Sequence, residues 1–82
     1  MITCEHHDFV EIACLFRYPV YLVMRCGEPI AGVAINTRLN EQREECIEII
    51  QHGQSRLVVL DKVARLKVRI ENPHFQSVSF IE

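Results

Sequence analysis

The chain has 82 residues, 49% of them hydrophobic and 24% charged, with a formal net charge of −2. That length supports one small core, with no space for a cofactor-binding domain beside a substrate domain, and the composition excludes a disordered chain. Charged residues interrupt every apolar run well short of a membrane span, so no membrane association is expected. Glu5 and Asp8 precede any Lys or Arg, the wrong sign for a secretory or transit peptide. A single domain over residues 1–82, working in the cytoplasm, is the expectation. Bulk charge does not mark a nucleic-acid binder, but the distribution is two-ended. Residues 1–48 hold eight acids against four Arg, while residues 49–82 hold three acids against five Lys or Arg.

Glu5–Arg17 reads as a short helix. Phe9, Val10, Ile12, Ala13, Cys14 and Phe16 fall on one broad apolar face at 100° per residue. Glu5, Asp8 and Glu11 cluster largely opposite, in an arc that Leu15 enters. Acids early and Arg17 late suit the helix dipole, and Pro19 is expected to stop the helix. After Pro19 the pattern is of strands. Val20–Cys26 runs into the Gly27-Glu28-Pro29 turn and returns as Ile30–Asn36, followed by a polar loop over Thr37–Arg43. Glu44–Gln51 and Arg56–Asp61 flank a His52-Gly53-Gln54 hairpin turn. Lys62–Ile70 alternates, with Ala64, Leu66, Val68 and Ile70 on one side and Arg65, Lys67 and Arg69 on the other. After Glu71-Asn72-Pro73, Phe75–Ile81 closes as a last strand. The fold class is therefore mainly β with one N-terminal helix. Five or six short strands would make a small, bent antiparallel barrel or sandwich, with the helix over one open end.

The four cysteines, Cys4, Cys14, Cys26 and Cys46, include no Cys-x-x-Cys and read as reduced, buried thiols. Cys4, His7 and Cys14 lie along one side of the helix, but at a spacing that matches no zinc pattern, so no metal site is expected. Cys4 and His7 lack the pocket and oxyanion donor that nucleophilic catalysis requires. The chain also has no Gly-rich phosphate loop, no Ser-His-Asp arrangement and no metal-ligand helix motif. Neither enzymatic activity nor a cofactor is expected.

Two charged features remain. The basic strand Lys62, Arg65, Lys67 and Arg69 could track a phosphate backbone, which makes an RNA-binding module the alternative function. In sequence no aromatics interleave with it, so it offers no stacking platform for bases, and its ordinary role is a solvated strand face that resists edge-to-edge pairing. The acidic arc Glu5, Asp8 and Glu11 has an equally ordinary reading as a solvated helix face. Its functional reading is a rigid negative patch that docks on a basic surface, such as one built to hold RNA.

The run Ile2-Thr3-Cys4-Glu5-His6-His7-Asp8-Phe9-Val10-Glu11-Ile12-Ala13-Cys14 resembles the N-terminal signature of the Rof family of Rho-binding antiterminators. That signature is a Cys, a polar-aromatic stretch, then Asp-x-apolar-Glu-apolar-Ala-Cys. Gly27, Gly32, Leu60-Asp61-Lys62 and Asn72-Pro73 also fall at family positions. The resemblance implies an Sm-like fold and a non-enzymatic protein that binds the termination factor Rho near its primary RNA-binding site, keeping RNA off and reducing termination. Asp8 and Glu11 match the partner-contacting acidic positions, and Glu5 a position that is usually acidic. His6 and His7 depart from the family's choices, and His7 joins the expected contact set by adjacency. No contact is carried onto Thr37–Arg43. The expected partner is Rho itself, bound by a monomer without direct contact to nucleic acid. Acidification that protonates the histidines would lower the negative charge of the patch.

Overall fold

A computed structural model describes residues 4–73 and 75–80, with side chains from His7 onward. One helix, α1 (Cys4–Leu15), precedes six strands: β1 (Pro19–Met24), β2 (Ile30–Leu39), β3 (Glu45–Gln51), β4 (Gln54–Val59), β5 (Val63–Val68) and β6 (Ser77–Ser79). The strands form one antiparallel sheet in the order β4-β3-β2-β1-β5-β6. The sheet is bent but not closed, so β4 and β6 remain edges.

Helix α1 packs on β2 and touches β6. Val10, Ala13 and Cys14 are buried against Leu22, Ala34, Ile49 and Leu66, as the apolar stripe requires. The helix ends two residues before the expected boundary at Arg17, and Pro19 does not stop it. Tyr18 N–H donates to the Ala13 carbonyl at 2.9 Å and Arg17 N–H to that of Cys14 at 3.2 Å. Arg17 takes the left-handed conformation at φ 53°. These bonds form a Schellman cap, which satisfies the terminal carbonyls before the proline is reached. Arg17 is therefore a cap residue rather than a cation in the last turn. Phe16 is half exposed beyond the helix and stacks on Tyr18, with ring centroids 5.6 Å apart.

Alternation holds in the central strands. Val20 and Leu22 of β1 and Leu66 and Val68 of β5 face the core, while Tyr21, Val23, Arg65 and Lys67 face out. Strand β2 is longer than expected, because Thr37, Arg38 and Leu39 pair with Ile47, Cys46 and Glu45. Polar composition suggested a loop there, but pairing to β3 overrides a weak local preference. A bulge at Ile35 sets the register of this half. The loop proper spans residues 40–44, where the Asn40 Oδ1 accepts from the amides of Gln42 and Glu44.

The β3–β4 turn is only His52-Gly53, both at positive φ (53° and 80°), and Gln54 belongs to β4. Two positive φ values make this a two-residue type I′ turn. Leu60–Lys62 form a single 3₁₀ turn, so Lys62 stands outside β5. Ile70 lies past the end of β5 and is half exposed rather than on its apolar face. Among the described residues the last strand is Ser77–Ser79, because Phe75 turns away to meet Phe9, ring centroids 5.0 Å apart; Ile81, the expected end of the strand, lies outside the described residues. Asn72 holds that turn by donating to the carbonyls of Ile70 and Phe75 and accepting the Phe75 amide. No described helix is long and apolar enough to cross a membrane.

Candidate partner-binding face

Helix α1 places Asp8 and Glu11 on its exposed side, one turn apart, while Val10 and Ala13 anchor the opposite side in the core. The backbone of Glu5 lies in the same helix. Its side chain, like those of Cys4 and His6, is outside the described residues.

His7 is half-buried at the edge of this face. Its Nδ1 lies 3.2 Å from the Glu11 Oε1, and its Nε2 lies 3.5 Å from the Glu45 Oε2 at the start of β3. A neutral imidazole carries one N–H and can donate to only one of these carboxylates at a time. Glu45 therefore joins the acidic face across the fold. Sequence reasoning missed it because Glu45 is distant in sequence and reaches the helix only through the β2–β3 pairing.

Beside the acids runs an open groove of about 790 Å³ whose lining includes Asp8, Glu11, Ile12, Leu15, Ile35 and Thr37, together with the cation Arg17. Leu15 is 75% exposed at its edge, so the acidic face carries an apolar border. Such a surface can hold a basic side chain by its charge and by its aliphatic stem.

The cysteines divide by location. Cys14 is buried beneath the face, and burial together with the nearby Glu11 charge pushes its thiol up to about 11. Cys46 is also buried, and burial followed by the Glu44 charge raises its thiol, against a backbone hydrogen bond from Asn40 that lowers it. Cys26 is exposed in the β1–β2 connection, contrary to the expectation that all the thiols are buried. Among the described residues no group of three or more His, Cys, Asp or Glu could hold a metal ion. The carboxylates around His7 address opposite nitrogens of the ring and do not converge on one point.

The alternative basic set is divided. Arg65, Lys67 and Arg69 are exposed and follow one another along the outward side of β5 and its extension, while Lys62 sits in the 3₁₀ turn before it. The expectation that no aromatic accompanies these cations is corrected by the sheet. Tyr21 of β1 is the direct cross-strand partner of Lys67. Sequence spacing along β5 alone could not reveal a neighbour supplied by another strand.

A family model for the modulator of Rho-dependent transcription termination, ROF, matches residues 1–80. Among solved structures, YaeO bound to magnesium from Vibrio cholerae O395 is similar, with a TM-score of 0.85 and 38% identity over 90% of this chain and 96% of that one. No curated protein matches. By sequence and by fold, the chain belongs to the Rof family of modulators of Rho-dependent transcription termination.

Proposed function

We propose that this chain binds Rho through the exposed side of α1 and occupies the primary RNA-binding surface, so that RNA cannot load. Asp8 and Glu11 are the principal contacts, Glu5 adds to the negative field, and His7 and Glu45 border them. The observation that carries this reading is the anchoring of the charges. Asp8 and Glu11 stand exposed on a helix whose other side is fixed in the core, so the patch needs little ordering on binding. A surface that holds RNA is basic, and a rigid acidic face complements it in encounter rate and register. Family membership supplies the partner. Inhibition of this kind works by occupancy and involves no chemical step.

An RNA-displacement titration tests the reading. Rho is held on labelled pyrimidine-rich RNA, and the parent protein or its Asp8→Lys/Glu11→Lys variant is added. The parent displaces RNA and the folded double reversal does not. Equal displacement by both would remove the acidic helix from the mechanism, and no displacement by the parent would reject competition for that site.

A further inference from the structure

We propose that the outer face of β1 and β5 is a second binding site, separate from the acidic helix, and that its ligand is single-stranded RNA. The register builds this face from residues distant in sequence. Tyr21 pairs with Lys67, and Val23 with Arg65. Directly opposed residues in a sheet have Cβ atoms about 5 Å apart, so half-buried Tyr21 and exposed Lys67 are immediate neighbours on this face. The Arg69 amide donates to the Pro19 carbonyl at 2.8 Å, which carries the strand direction one residue past β5 and places a third cation beside β1. Residues two apart on a strand repeat at about 7 Å, so Arg65, Lys67 and Arg69 form a line of positive charge along the face. Among the described residues, none of the three takes part in an ion pair.

Next to Tyr21 the face dips into a shallow groove of about 350 Å³. Pro19, Val33 and Ile50 are among its apolar lining, and Gln51, His52 and Arg69 contribute polar groups. Val33 pairs with both Pro19 and Ile50, so the three lie in one row across β1, β2 and β3. The face thus combines the parts that recognise an unpaired strand. A row of cations meets phosphates, a tyrosine ring offers a stacking surface, and an apolar recess with polar edges receives a base. A duplex would present none of its base faces to Tyr21, which is why the ligand is single-stranded.

The acids do not oppose this. Helix α1 packs against the buried side of the sheet, with Leu22 and Leu66 in the same core, so Asp8 and Glu11 are separated from the cations by the sheet itself.

Fluorescence anisotropy of a labelled oligouridylate at low salt provides the test, with thermal melts to confirm that each variant folds. The parent should bind, and binding should weaken as salt rises. Lys67→Glu/Arg69→Glu, at exposed positions, should abolish binding. Tyr21→Leu, which keeps apolar bulk but removes the phenol ring, should weaken binding about fivefold or more. Asp8→Lys/Glu11→Lys should leave binding intact or tighten it. No binding by the parent, or equal binding by the Lys67→Glu/Arg69→Glu variant, would overturn the proposal. Self-association of the parent that is broken by the same variant, without RNA binding, would also overturn it and make the face a contact between two copies.

Discussion

The imidazole Nε2 of His7 lies 3.5 Å from the Glu45 Oε2, and this contact ties α1 to the start of β3. It brings a carboxylate from the sheet to the edge of the helical acidic face. Glu45→Lys should therefore weaken Rho binding by about 1 kcal/mol, or roughly fivefold, as expected for a charge at the rim of an interface. Isothermal titration against Rho measures it. An affinity within a factor of two of the parent would place Glu45 outside the interface.

The complex should loosen as ionic strength rises. Asp8 and Glu11 are exposed, and charges at a surface are screened over about 8–10 Å at physiological salt. Affinity measured across a salt series should fall steadily for the parent and far less for Asp8→Asn/Glu11→Gln. Parallel slopes for the two proteins would mean that other charges govern the encounter.

Cys14 makes stability depend on alkaline pH. Burial raises its thiol from 9.0 to about 11, so between these values the folded chain keeps a proton that the unfolded chain releases. Its contribution is fully present below pH 9 and is lost as pH rises through about 11. Urea titrations should show the midpoint falling over that window, and Cys14→Ala should flatten the decline while lowering stability by about 1–3 kcal/mol. At pH 8 a thiol reagent should label the exposed Cys26 readily and Cys14 only after unfolding.

Gly32 sits where two strands leave no room for a side chain. A Cβ there would stand 2.7 Å from the Ile50 carbonyl oxygen and 3.0 Å from the Ile49 Cδ1. Gly32→Ala should destabilise the fold by about 1–3 kcal/mol, the usual cost of overpacking, because backbone must move. Chemical denaturation checks this, and a loss below about 0.5 kcal/mol would contradict the close approach.

Arg17 holds a left-handed backbone at φ 53° in the cap of α1. Glycine adopts that conformation without the steric cost borne by an L-residue, although it loses more freedom on folding. Arg17→Gly should raise stability by about 0.5 kcal/mol, seen as a small increase in Tm. A decrease would mean that the Arg17 side chain contributes more than its backbone strain costs.

Local patterning was sufficient to locate the helix, most strand centres and both turns that need glycine. The apolar residues at Val10, Ala13 and Cys14 and the alternation through Leu66 and Val68 record burial directly. Asp8 and Glu11 were legible as exposed because they lie opposite that apolar face. Ends were less legible. The helix stopped at a hydrogen-bonded cap around Arg17, and Thr37–Leu39 joined β2 because β3 offered partners, neither of which is visible in composition. The neighbours that matter most came from tertiary structure alone. Strand order and register brought Glu45 to His7 and Tyr21 to Lys67. Sequence periodicity reports which side of an element is buried, whereas contact between elements depends on how the whole sheet pairs and bends.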